Sequence, residues 1–132
     1  MPADQVNKQY DQKHIATAAL QFFFNLSHHW GLSAQEEQAL LGHPPKETFD
    51  LWKTHSSANK LNRDTLDRIS YLMGIHKALI NLLPSTEAAM TWLKKPNDAP
   101  LFAGGTALNR MLGGSIVDLS DVRRYLDAQG HL

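Results

Sequence analysis

An all-α fold is predicted by three features of the sequence. The 132 residues hold 19 Leu and 14 Ala against 5 Ile and 3 Val, and unbranched or small side chains favour helices where β-branched ones favour strands. Apolar residues recur at steps of three and four in the first third and again in the middle of the chain, the period of a helix with one buried face. Ser33, Pro45 and Asn62 stand where helices should start, each just before such a stretch. The expected layout is a helix-turn-helix-like part over residues 1–60, then a long central helix and a small helical part within 61–132.

Each element has its own signal. Ile15, Ala18, Ala19, Phe22, Phe23 and Leu26 predict a first amphipathic helix ending near Trp30-Gly31. Ser33 with Glu36 three residues on forms a capping box for a short second helix, whose apolar face is Ala39, Leu40 and Leu41 and whose stop is Gly42. Pro45 suits the first turn of a third helix, where a missing N–H costs nothing; Phe49 and Trp52 share its buried side. Asn62 caps the longest helix. Its stripe is expected at Leu66, Ile69, Met73, His76, Ile80 and Leu83, widened by Leu72, Ile75 and Leu79, and Pro84 ends it. A fifth helix covers about Thr86 to Leu93. Lys95 to Pro100 is irregular because each proline biases its predecessor away from helix. A short helix from Thr106 to Leu112 and a final one from about Leu119 to Gln129 complete the chain; Ser115-Ile116-Val117 is compatible with an extended piece, too short to make a sheet. Four of the eight glycines fall between 104 and 114.

Composition removes several functions. Without cysteine there is no disulfide, thiolate metal site or cysteine nucleophile, which fits a reducing compartment. Thirteen Lys and Arg balance thirteen Asp and Glu, so the chain lacks the basic excess of a protein that holds nucleic acid through phosphate neutralisation alone. The start, Met1 to Tyr10, is polar and lacks the apolar stretch of a signal peptide, so none is expected. Thr17, Gln21 and Asn25 interrupt Ile15 to Leu26, far short of the roughly 20 apolar residues of a membrane span. A cytoplasmic protein with no membrane partner is expected. His28 and His29 are adjacent and point apart on a helix, and no metalloprotease-type histidine pair occurs, so no metal or cofactor is expected. Asp64, Asp67 and Arg68 fall at helical spacing as on a solvated face, and the glycine pairs lack the lysine of a phosphate loop. No catalytic residue is assigned.

Two stretches are more specific. Gly31 to Gly42, followed by the proline-started helix, fits a helix-turn-helix whose second helix enters a DNA major groove; it fits equally a plain corner of a helical bundle. In the DNA reading Lys46, Thr48 and Lys53 meet phosphates or base edges, and Lys60 and Arg63 grip the backbone. Glu47 and Asp50 lie on the same helix and repel phosphate.

The second stretch runs from Trp92-Leu93-Lys94-Lys95-Pro96-Asn97 through Leu101-Phe102-Ala103-Gly104-Gly105-Thr106-Ala107-Leu108-Asn109-Arg110-Met111-Leu112 to Val122-Arg123-Arg124-Tyr125-Leu126. It resembles the toxin-binding domain of Xre/MbcA/ParS-type antitoxins: a Trp-Leu at a helix end, a Pro-Asn turn, a Gly-Gly before a short helix, and a closing helix. Thr106-Ala107 replaces the Thr-Pro often found there, and Thr106 can still cap the turn. Gly42 to Trp52 is one residue longer than in Xre-type modules. The resemblance implies a RES-domain, NAD-consuming toxin as partner, neutralised by direct complex formation, and control of the operon through operator DNA by a homodimer or a larger complex with toxin. Gly104, Gly105 and Thr106 offer close backbone approach. Leu108, Leu112, Tyr125 and Leu126 supply an apolar anchor, and Arg110, Arg123 and Arg124 reach acidic or polar groups. The leucines serve equally as core and the arginines as solvated surface. A DNA-binding regulator without a toxin, and an interaction module without DNA binding, are the other readings.

Overall fold

A computed structural model describes the backbone over residues 3–130 and the side chains from residue 11 to 130; the polar start read at Met1 to Tyr10 lies outside the described side chains. Among the described residues seven helices follow in order: α1 (Ala3–Trp30), α2 (Ala34–Leu40), α3 (Lys46–His55), α4 (Arg63–Leu82), α5 (Thr86–Lys94), α6 (Ala107–Met111) and α7 (Ile116–Gln129). Among the described residues the only extended pairing is an isolated antiparallel bridge between Pro96 and Thr106, and no helix is long and apolar enough to cross a membrane.

Side-chain caps set most of the starts, each satisfying an amide that the helix itself leaves without an acceptor. Ser33 Oγ accepts from Glu36 N at 3.1 Å while Glu36 Oε1 accepts from Ser33 N at 2.9 Å. Asn62 Oδ1 accepts from Thr65 N at 2.8 Å, and Ser85 Oγ from Ala88 N at 3.1 Å. Ser115 caps α7, taking Val117 N at 3.2 Å. The tripeptide 115–117, compatible with an extended piece, is therefore a cap and a first helical turn, and α7 begins three residues earlier than its apolar pattern indicates.

The core holds Trp30, Phe23, Phe49 and a set of leucines, all nearly out of water. Two expected faces are rotated. On α1 the buried line is Ala16, Ala19, Leu20, Phe23, Leu26 and Trp30, whereas Ile15 is 55% exposed and Ala18 is also exposed. On α4 the buried line is Ile69, Leu72, Ile75 and Leu79, leaving Met73 and Ile80 on the surface. Both helices carry apolar residues on more than one side, so their neighbours decide which side is covered. For α4 that neighbour is α7, its most extensive packing partner. Leu72, Ile75 and Leu79 each gain about 1.5–3 kcal/mol from leaving water.

Helices α4 and α7 run parallel. Arg68, near the start of α4, bonds Gly114 just before α7; Gly74 lies against Arg123; and Ala78, Asn81 and Leu82 share a groove with Leu126, Asp127 and Gly130 at the far ends. Parallel neighbours require a crossover, and α5, the irregular segment after it and α6 supply it. At the other end of the sequence α3 packs on α1.

Candidate functional site

The irregular segment 95–106 is more ordered than its two prolines suggest. Asn97 closes it into a ring with three hydrogen bonds: its N–H donates to Gly105 O at 2.9 Å, its carbonyl accepts from Gly104 N at 2.9 Å, and its Oδ1 accepts from Ala99 N at 2.9 Å. Inside the ring Ala99 O accepts from Phe102 N and Ala103 N at 2.9 and 3.0 Å. Ala103 takes φ 49° and Gly104 φ 86°, the left-handed region that favours glycine. A Cβ on Gly104 would meet nothing within 4 Å, so its backbone angle, not crowding, demands a glycine.

Phe102 anchors the ring. It is 6% exposed and packs edge-on against Tyr125 at 5.1 Å and Trp92 at 5.9 Å, with Trp92 stacked on Tyr125 at 6.4 Å. Such pairs add about 0.5–1.5 kcal/mol beyond area burial. The trio fastens the loop to α5 and to the middle of α7, leaving Ala103, Gly104 and Gly105 exposed at its tip.

The other residues assigned to this surface divide. Thr106 caps α6, accepting from Asn109 N at 3.0 Å. Leu108 and Leu126 are buried in the core; Leu112 and Tyr125 are half-buried against it. Arg110 faces two acidic groups, Asp121 at 3.2 Å from Nη2 and Asp118 at 3.3 Å from Nε; Nε is sealed from water and its N–H is out of line for a hydrogen bond. Arg123 lies over the Tyr71 ring at 6.0 Å with Asp127 3.8 Å away. Arg124 is exposed. The free surface is thus the ring tip and Arg124, while Leu108, Leu126, Arg110 and Arg123 hold the fold beneath it.

The α2–α3 pair is pinned by one buried acid. Glu37, 4% exposed, accepts from Ser27 Oγ of α1 at 2.7 Å and from Lys53 Nζ of α3 at 2.7 Å. A carboxylate out of water needs such partners, and here they join three helices. Of the residues assigned to DNA, Lys46, Lys60 and Arg63 are exposed and Thr48 is half-buried. Arg63 bonds Asp67 at 3.1 Å, and Lys53 is held by Glu37 and lies 5.8 Å from the Phe49 ring centre. Glu47 and Asp50 are exposed on the same helix.

Arg68 overturns the expectation of a solvated face: its side chain is only 9% exposed, with Asp64 at 2.8 Å. Sequence reasoning gives Glu37 no role, takes Asn97 only as part of a Pro-Asn turn and places Arg68 on a solvated face. Glu37 had a signal, since it falls three and four residues before Leu40 and Leu41 on the buried face of α2. Among the described residues no three His, Asp or Glu side chains gather as metal ligands.

Comparison with known proteins follows the same division. Residues 12–74 match the family model of the antitoxin Xre-like helix-turn-helix domain, and residues 78–131 match that of the antitoxin Xre/MbcA/ParS C-terminal toxin-binding domain. An uncharacterized protein of Sinorhizobium fredii, y4oB, is 43% identical over 112 residues, covering 85% of this chain and 84% of the relative.

Proposed function

The chain belongs to the Xre/MbcA/ParS antitoxin family, and on that premise we propose that it neutralises a RES-domain, NAD-consuming toxin by covering the toxin's active site, and performs no chemistry of its own. One observation carries this reading: a ring closed by Asn97 and anchored by Phe102 presents Ala103, Gly104 and Gly105 to solvent. Small residues on a pre-ordered loop let a partner approach the backbone closely and lose little entropy on binding. Arg124 and the half-buried Tyr125 flank the anchor of this loop and extend the contact; Leu112 stands with them at the edge of the core. The toxin-facing part is residues 61–132, which keeps α4 with the helix it packs on.

We further infer that residues 1–60 bind operator DNA in the cytoplasm and repress the operon. The buried Glu37 lock fixes α3 against α1, and rigid placement is what a recognition helix needs. Lys46, Lys60 and Arg63 are exposed cations, and Lys53, though paired with Glu37, is exposed as well. The neutral chain reaches useful affinity by pairing, because two copies on two half-sites multiply modest contacts; exposed Ile15, Met73 and Ile80 are apolar side chains that a second copy would cover. A regulator without a toxin and a module without DNA binding are the competing readings.

The deciding experiment co-expresses the chain with the protein encoded beside it. The expected result is rescue of growth and a stable complex, with both weakened by Gly104→Val. No complex and no rescue overturns the toxin reading. Absence of binding to the chain's own upstream duplex, with rescue intact, selects the interaction module.

A further inference from the structure

We propose that Arg68 is the positioning residue through which the tail and the helix-turn-helix sense each other, so that a protein seated on the tail changes how α3 meets DNA. This rests on the function proposed above. Arg68 leaves α4 with its guanidinium turned inward. Nε donates to Asp64 Oδ2 at 2.8 Å and Nη2 donates to Gly114 O at 2.9 Å. Gly114 belongs to the turn between α6 and α7 and has φ 93°. Gly42, in the turn between α2 and α3 and with φ 87°, also lies against this side chain. A Cβ on Gly42 would stand 2.8 Å from Arg68 Nε and 3.0 Å from Asp64 Oδ2. One charged group therefore touches the turns of both halves, with no side chain between.

Gly114 is joined directly to Ser115, whose Oγ accepts from Val117 N at 3.2 Å and whose carbonyl accepts from Asp118 N at 3.1 Å, so this turn is tied to the first turn of α7. If the turn shifts, Arg68 either follows it or leaves a buried N–H without an acceptor, and the second outcome is strongly disfavoured. A guanidinium that follows changes its contact with Gly42, and with it the path from α2 into α3. Binding at the tail and at α3 are then coupled, and the coupling is reciprocal.

Two measurements test this. In the chain alone, Ser115→Ala perturbs the tail turn. The amide signals and hydrogen exchange of residues 41–43, 46 and 47 should change in the Arg68 background and stay unchanged when Ser115→Ala is made on Arg68→Lys, which keeps the charge but lacks the separate Nε and Nη2 that reach Asp64 and Gly114 at once. In the second, the duplex affinity of the full chain is measured with and without the protein encoded beside it, after each partner is titrated alone. The partner should change duplex affinity by about fivefold or more. In Arg68→Lys the change should fall below about twofold, with each separate affinity preserved within about twofold. Coupling that survives in folded Arg68→Lys, or a tail perturbation that never reaches residues 41–47, overturns the proposal. If either partner fails to bind alone, the functional reading fails and the ligand-free measurement still decides the role of Arg68.

Discussion

The Ser27 hydroxyl donates to Glu37 Oε2 at 2.7 Å, and both residues are buried. The other carboxylate oxygen takes Lys53 Nζ at 2.7 Å, so one acid ties α1, α2 and α3. Ser27→Ala removes a donor to a buried charged acceptor and should cost about 1.5–3 kcal/mol. Urea unfolding measures it; an unchanged midpoint would show that water replaces the hydroxyl.

His76 gives the fold a pH dependence. Burial first, and the nearby His29 second, hold its pKa below the ordinary 6.5; its ring meets Phe22 edge-on at 6.0 Å. The folded state therefore resists a proton that the unfolded chain accepts. Stability is fully present above the unfolded pKa and declines as pH falls from there toward the lower folded value. The thermal midpoint should drop between about pH 7.5 and about pH 5. His76→Gln should flatten that slope, and an identical slope in the variant would assign the effect elsewhere.

Opening the Asn97 ring separates loop order from fold. Asn97→Ala deletes the bond to Ala99 N and should cost about 0.5–1.5 kcal/mol. On the proposed toxin contact, dissociation of the complex should quicken by about threefold to tenfold. Surface plasmon resonance reads this directly; the same off-rate with a loosened loop would move the contact away from residues 97–105.

Lys46 and Lys53 should behave differently. Lys46 is exposed, so Lys46→Ala should leave the melting temperature unchanged and lower the salt slope of duplex binding by about one. Lys53→Ala also strips Glu37 of a partner and should lower both stability and duplex affinity. Titrations at several salt concentrations, with thermal melts, distinguish them. If neither substitution touches binding, α3 is not the contact.

Most starts and stops are legible in the sequence because they are local; the start of α7 at Ser115 is not, since the buried line of that helix begins only at Leu119. Ser33 with Glu36, Asn62 and Thr106 cap where expected, and Pro84 follows the end of α4. Facing was less so. Ile15, Met73 and Ile80 belong to periodic stripes, yet packing covers the adjacent stripe. The site residues split for a similar reason: nothing local tells Leu108, which fills the core, from Gly104, which is free. Arg68 reads as half of an ordinary helical pair with Asp64 until the distant Gly114 carbonyl is known.

The parallel pairing of α4 and α7 has a consequence for proteolysis. The exposed segment around Lys94 to Pro96 is the tether between them. A cut there turns an intramolecular contact into a bimolecular one and forfeits the effective concentration that keeps α7 in place. Once α7 departs, α4 loses its most extensive packing partner and Arg68 loses Gly114. One nick in a surface loop thus disarms both ends of the molecule together, and a cell could clear the whole protein through a single scissile bond.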